Sequence, residues 1–287
     1  MAKHFVCLTF DLDNTSGALT PESSTPTWIS RGDFGMVATE RLLALLRRHA
    51  LPGTWFIPGH TIESYPDICG AVAGGAHEIG HHGWTHRIPA SLSREGEERE
   101  LTRGNETIKK LTGQYARGYR SPSWDLSPHS IELLLKHGFV YDSSLMGHDY
   151  LPYQARDGDV VKPEEPLIHG PDTKLVEMPI SWSLDDFPAF EYYHSGDYHN
   201  PGLRNAGLVL ENWFGDFTYM RENYDWGIIT YTFHPDVIGR GHRMIMLEKL
   251  IRALKDGGAT FITMEEGVAE YRAKFPGGRS ERGRKIL

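Results

Sequence analysis

The sequence predicts an α/β protein whose parallel sheet closes into a barrel. Short β-like runs alternate with helical patterns almost from end to end, the signature of parallel strands joined by helices. The residues richest in chemistry fall where those runs stop, as in barrels whose active sites lie at the C-terminal ends of the strands. The length of 287 residues fits too. About 150 residues per domain would allow one or two domains, but a single α/β barrel commonly fills about 250 residues.

Taken in order, residues 5–10 form an apolar run that breaks off at Asp11 and Asp13, a buried strand. Residues 14–35 are rich in Ser, Thr, Pro and Gly and long for a structureless loop, which marks them as functional. Residues 36–49 give an amphipathic helix with Val37, Leu42, Leu43, Leu45 and Leu46 toward the core. A strand at 54–57, a short helix at 65–73 and a strand at 77–79 follow, the last ending in a His-rich loop at 80–86. A charged helix at 95–111 leads through 117–120 into the turn Ser121-Pro122-Ser123-Trp124. Ser127-Pro128 opens a helix to Lys136, because proline is tolerated where its missing N–H would have no partner. Residues 139–141 are the next strand.

Between 147 and 174 the rhythm dissolves into Pro, Gly and charge, as an insertion would, and residues 175–180 resume it. A second insertion covers 185–201. Then come a helix at 206–221, a strand at 227–233, a helix at 244–254 and a strand at 259–262. Thr263 with Glu266 makes the capping box of the last helix, and the tail RSERGRKIL reads as a frayed terminus. The expected organisation is one domain over 1–287, with insertions near 14–35, 147–174 and 185–201.

Composition narrows the function. With 39% hydrophobic and 11% aromatic residues, the chain reads as globular, not disordered. A net charge of −8 argues against nucleic acid or an anionic membrane as partner. Cys7 and Cys69 are too few for a disulfide framework or a cysteine zinc site, and two free thiols in a reducing compartment are expected. No apolar run approaches the roughly 20 residues of a spanning helix. The start MAKHFVCLTFDLD does not read as a signal peptide, so a cytoplasmic location is expected.

Four polar clusters sit at strand ends: Asp11/Asp13, His82/His86, Arg120 with Trp124, and His234. Each alone is weak, since an Asp after a strand is often a cap and two histidines four apart are often coincidence. Four on one barrel are hard to call accidental. His82 and His86 offer imidazoles at ligand-like spacing, with Gly83 favouring a loop, and Asp13 would complete a facial His-His-Asp set for a divalent metal. Such an ion lowers the pKa of bound water and polarises a carbonyl. Asp11 would take the proton from that water, and His234 would return one to a leaving nitrogen.

With these residues the chain resembles the NodB-homology polysaccharide deacetylases, carbohydrate esterase family 4. Thr9-Phe10-Asp11-Leu12-Asp13 matches the first motif, with Leu12 separating aspartates that are adjacent in most members. That spacing is similar to the branch of intracellular peptidoglycan deacetylase-like proteins, metal-independent allantoinase-like proteins and cyclic imide hydrolases. His82 to His86 matches the second motif, Arg120-Ser121-Pro122-Ser123-Trp124 the third, and Thr232-Phe233-His234-Pro235 the fifth. The fourth is poorly matched, Tyr141-Asp142-Ser143-Ser144 being the nearest stretch. The resemblance implies a distorted (β/α)7 barrel, metal ligands Asp13, His82 and His86, Asp11 as base, His234 as acid and Arg120 paired with Asp11. It places the oxyanion near the metal and a backbone N–H around Ser123, since Pro122 has none to give.

Trp84, Trp124 and Trp182 are candidate pocket walls, core packing being an equal reading for Trp182, and His60 is a further pocket candidate. His81 and Glu78 read as structural, and Asp185-Asp186 as part of a lid or a subunit contact. The function implied is metal-dependent hydrolysis of a non-peptide C–N amide bond. The expected metal is zinc, with cobalt, manganese, nickel or iron also compatible with Asp-His-His. The missing export signal and long insertions lean toward a small cyclic imide or ureide. The alternative is N-deacetylation of an N-acetylglucosamine-containing glycan or peptidoglycan. An inactive binding protein on the same barrel is disfavoured by the complete ligand set. The resemblance also implies a homo-oligomer.

Overall fold

The computed structural model describes residues 3–19, 25–195 and 198–278. The strand β1 (Lys3–Asp11) is buried from Phe5 onward, and its side chains sort by parity. Val6, Leu8 and Phe10 join the core between sheet and helices, while Phe5 and Cys7 join a second cluster inside the curl of the sheet. Thr9 and Asp11 continue that inner row, so the interior is apolar at one end and polar at the other.

After a short 3-10 turn at Asn14–Ala18 comes α1 (Pro26–His49), starting ten residues before the expected 36–49 helix. The glycines that disguised it are the ones it needs. A Cβ on Gly32 would collide with Thr15, and one on Gly35 with Asn14, so both allow the helix to lie against the turn after Asp13. Leu42, Leu45 and Leu46 face the core as expected, but Val37 is 44% exposed because the true buried stripe runs through Gly35, Ala38 and Thr39.

β2 (Thr54–Ile57), α2 (Gly59–Ser64) and α3 (Pro66–Ala73) follow. Next are β3 (Glu78–His81), α4 (Arg94–Thr112), β4 (Gly118–Tyr119), α5 (Ser130–Lys136) and β5 (Tyr141–Asp142). The stretch expected as a first insertion holds β6 (Tyr153–Arg156) and the exposed hairpin of β7 (Val160–Lys162) and β8 (Glu165–Ile168). β9 (Asp172–Glu177) starts and ends earlier than the expected strand at 175–180. The second insertion supplies α6 (Asp186–Phe190) and the hairpin of β10 (Tyr193–Ser195) and β11 (Tyr198–Asn200). The chain ends with α7 (Ala206–Asn223), β12 (Trp226–Phe233), α8 (Pro235–Ile238), α9 (Gly241–Asp256), β13 (Thr260–Phe261) and α10 (Met264–Lys274), whose Thr263/Glu266 capping box is present. The tail expected to fray lies outside the described residues.

The main sheet runs β12-β1-β2-β3-β4-β5-β9-β6, with β13 on the lower part of β1. The strands from β12 to β9 are parallel, and β6 is antiparallel at the end. The sheet therefore curls as a distorted seven-stranded barrel. Among the described residues no ladder joins β12 to β9; beside β12 stand instead a hydrogen bond from Ile228 N–H to the Tyr150 carbonyl and an isolated bridge of Asp185 with Thr232. Met264, Val268 and Tyr271 of α10 pack with Phe5, Trp226 and Ile228 to close the apolar end. Among the described residues no helix is long and apolar enough to cross a membrane, and both cysteines are free and buried.

Candidate active site

The polar end of the interior is built by the same parity rule. On β12, Trp226 and Ile228 belong to the inner cluster and His234 follows the inner row at the strand's end. Asp11 closes β1 and His81 closes β3, so Asp13, His82 and His86 lie just past those strand ends.

Asp13, His82 and His86 come together with one ligand atom each inside a 4.8 Å span. His82 Nε2 lies 3.5 Å from Asp13 Oδ1, and His86 Nε2 lies 3.3 Å from Asp13 Oδ2. The Nδ1–H of His82 donates to the Arg120 carbonyl at 2.7 Å, which fixes the tautomer and turns the Nε2 lone pair inward. Asp13 Oδ1 is buried without a hydrogen-bond partner, a costly state for a carboxylate oxygen unless a cation takes it. The donor set therefore fits a divalent ion. Burial alone would raise Asp13, but the neighbouring His86, His82 and His234 hold it below the usual carboxylate range. Burial lowers His82, keeping it neutral as a ligand must be, while at His86 the charge of Asp13 outweighs burial and raises it. The same negative charge that draws a proton there would draw a cation.

The ligand loop is held from outside. Gly83 sits at φ +72°, and the backbone N–H groups of Trp84 and Thr85 donate to Glu100 Oε2 at 2.9 and 2.6 Å. His81 is fully buried and structural, with Nε2 on the Leu101 carbonyl and Nδ1 accepting from Gly83 N–H. Glu78 is structural as well, accepting from Thr54, Tyr141 and the Glu265 N–H at the other end of β3.

Beneath the cluster lies a dry ion pair. Arg120 Nη1 donates to Asp11 Oδ1 at 2.7 Å and to Thr9 Oγ1 at 3.0 Å, with Arg120 0% and Asp11 1% exposed. The second oxygen, Asp11 Oδ2, faces the cluster 4.0 Å from His82 Nε2. Arg120 also lies flat over Phe56, 4.2 Å from the ring centroid, so the guanidinium has one position.

On the opposite side stands His234. Its Nε2 is 4.0 Å from Asp13 Oδ2, while Nδ1–H donates to Asp186 Oδ1 at 2.8 Å and the backbone N–H reaches both Asp186 oxygens at 3.0 Å. Asp185 lies 3.6 Å from the same ring nitrogen. Burial works against a charged imidazole, but Asp185 and Asp186 outweigh it and hold His234 well above the ordinary histidine range. Burial in turn pushes Asp185 up to about 7.

The Ser121–Trp124 turn forms one wall. Ser123 and Trp124 both take φ +55° and His86 takes φ +59°, a left-handed conformation that costs on the order of 1–3 kcal/mol each and clusters at functional sites. Trp124, 7% exposed, stacks on Trp182 with ring centroids 4.0 Å apart, and Trp182 is 44% exposed. Trp182 is therefore not core. His60 and Trp84 meet edge to face at 5.6 Å. They stand behind the ligands, since His60 Nδ1 bonds Ser16 in the turn after Asp13 and the Arg103 guanidinium lies 3.1 Å over the Trp84 ring.

Residues 2–141 match the family model described as polysaccharide deacetylase. A peptidoglycan deacetylase of Helicobacter pylori is 35% identical over 291 residues, covering 96% of this chain and 99% of that one. The chain belongs to the polysaccharide deacetylase family. It is a deacetylase-like hydrolase of amide C–N bonds. A Mycobacterium smegmatis structure named for polysaccharide deacetylation superposes with a TM-score of 0.84 at 30% identity, covering 99% and 95% of the two chains. An allantoinase structure shares the fold, with a TM-score of 0.76 at 17% identity over 96% of this chain and 93% of that one.

Two further acidic stretches singled out in the sequence are placed by the structure. Asp142 of the Tyr141–Ser144 stretch lies in strand β5, the register neighbour of Tyr119. Asp185 and Asp186 contact His234, where a lid or a subunit contact was expected.

Proposed function

We propose that this chain hydrolyses an amide C–N bond with a divalent metal held by Asp13, His82 and His86. The observation that carries it is the Asp13-centred cluster, with an orphaned carboxylate oxygen and two imidazole nitrogens turned toward it. Zinc suits two imidazoles and a carboxylate. An ion there supplies Lewis acidity, polarising the amide carbonyl and easing deprotonation of a nearby water.

The chain's own residues do the rest. Arg120 occupies one oxygen of Asp11, leaving the other to take the proton from the attacking water. Asp186 holds Nδ1 of His234, so that Nε2–H points into the site and donates to the departing nitrogen. The turn at Ser123 offers backbone N–H to the developing oxyanion. Bulk solvent meets the site from the side of Asp13, His86 and His234, whose side chains are 12–14% exposed, whereas Asp11 and Arg120 are shielded from it and would meet only a water held at the cluster.

For the substrate, the identity to the Helicobacter peptidoglycan deacetylase supports an N-acetylated amino sugar of a glycan or its fragment. A second reading, a small cyclic imide or ureide, is favoured by the second insertion. Its Phe187 lies 5.4 Å from the His234 ring, and Trp182, just before it in the chain, stacks on Trp124, so aromatic rings flank the site. Hydrolysis by the metal-loaded protein of N-acetylglucosamine oligomers, succinimide, phthalimide and allantoin tests both. Acetate release from the oligomers alone establishes the first reading, and ring opening alone the second. No turnover of any of them by fully loaded protein would reject the function.

A further inference from the structure

One pair of buried acids takes no part in the proposed chemistry. Asp142 of β5 and Glu177 of β9 are direct neighbours in the parallel register, and both are 0% exposed. Asp142 Oδ1 accepts from the Ser144 hydroxyl at 2.8 Å. Glu177 Oε1 accepts from the backbone N–H groups of Ser144 and Leu145, each at 2.8 Å. Their other oxygens, Asp142 Oδ2 and Glu177 Oε2, are buried with no donor. Two ionised carboxylates have nothing to give each other, and like charges side by side in a dry interior repel. One proton between them satisfies both oxygens.

The segment these acids grip is the one that holds the base's partner. Arg120 Nε donates to the Ser143 carbonyl and Nη2 to the Ser143 hydroxyl, both at 3.2 Å. Ser144 Oγ accepts from Ser121 N–H at 2.9 Å, at the start of the strained turn. Arg120 then reaches Asp11. We propose that Glu177 carries a proton shared with Asp142, and that this acid–carboxylate pair is a positioning device which sets Arg120, and through it Asp11, by way of residues 143–145. The role assigned to Asp11 rests on the function proposed above; the shared proton does not.

The surroundings agree on which acid holds the proton. Burial and the adjacent Asp142 charge raise Glu177 well above the usual carboxylate range, while the hydrogen bond from Glu177, the donors at Ser144 and Ser143 and the charge of Arg120 moderate the effect of burial on Asp142, which stands at about 6. Tyr119 of β4 is the register neighbour of Asp142, and Arg120, the next residue, is the nearby cation that acts on it. A single cation, already shared with Asp11, does not neutralise two further anions.

Glu177→Gln is the informative variant, because its amide keeps the Oε1 acceptor and replaces O–H with a neutral N–H donor. In the infrared difference between metal-loaded wild type and Glu177→Gln at neutral pH, the wild type should show a carboxylic-acid C=O band that shifts in D2O and that the variant lacks. Absence of that band overturns the shared proton, whatever the activity. On whichever amide of the screen is hydrolysed, Glu177→Gln should stay within about threefold of wild type. Glu177→Ala should lose about 10²-fold in kcat with KM and metal content unchanged, the scale of a misplaced catalytic group. Glu177→Gln as slow as Glu177→Ala, or Glu177→Ala with full kcat and only a lower Tm, overturns the positioning role. Loss of turnover in the wild type as well would instead count against the function.

Discussion

The two proton-handling sides of the site are built by different rules. On one side Asp11 and Arg120 come from β1 and the end of β4, both inside a continuous parallel ladder, and the pair is dry. On the other, His234 ends β12, but its partner Asp186 comes from the second insertion, at the place where the ladder is interrupted and one isolated bridge remains. The proposed base is fixed by the barrel itself. The proposed acid is fixed by a segment outside the parallel ladder.

The largest effect should come from removing what both sides share. Asp13→Ala, His82→Ala and His86→Ala are each expected to lose metal and take hydrolysis to background, because Asp13 touches both imidazoles and lies 4.0 Å from His234. Elemental analysis of the purified variants checks it. Full occupancy in all three would break the comparison at its centre.

Next comes the barrel side. Asp11→Asn should keep metal and lose about 10²–10⁴-fold in kcat, the usual worth of a general base. The amide keeps an oxygen for Arg120, so folding should hold, and circular dichroism together with metal content reads that directly. A variant within a few-fold of wild type would reduce Asp11 to a structural neighbour of Asp13.

The asymmetry also explains what could be read from the sequence. Asp11, Asp13, His82, His86, Arg120 and His234 were legible because each sits at or just past a strand whose apolar run is visible in the chain. The helix from Pro26 was not, since Gly32 and Gly35, which it needs to lie against the turn, imitate a loop. Asp186 was not identified because its contact with His234 joins residues 48 apart through an interruption of the sheet, and no local pattern encodes that. Trp182 was ambiguous because a tryptophan after a strand is as often core as wall, and only its exposure decides against core.

The acid side should respond more mildly and in a characteristic way. Asp186→Asn is expected to cost between about 10- and 100-fold at neutral pH, part of what general acid catalysis is worth. The sign of its pH effect follows from the charges. Asp185 and Asp186 raise His234, so removing one of them lets burial pull the imidazole down again. An acid must be protonated to act, and with a lower pKa it loses its proton at lower pH. The alkaline limb of kcat should therefore move to lower pH in Asp186→Asn, while Asp11→Asn leaves whatever activity remains with its alkaline limb in place. An unmoved limb in Asp186→Asn would mean that His234 is not the acid.

The smallest expected effect sharpens the question of substrate. Trp182 is held to the site by stacking on Trp124, an aromatic contact worth about 0.5–1.5 kcal/mol, and its other face is open. Trp182→Ala removes no proton donor or acceptor of the site, so kcat should change little, and KM should rise by about two- to tenfold if the ring meets substrate. The direction across substrates carries the information. If Trp182 and Phe187 roof a small pocket, opening the roof weakens binding of succinimide or allantoin and leaves N-acetylglucosamine oligomers unchanged or better bound. If the indole is a platform for a sugar ring, KM should rise for the oligomers and more so for longer ones, because only they extend past the site onto it. Equal changes for every substrate would take specificity away from Trp182.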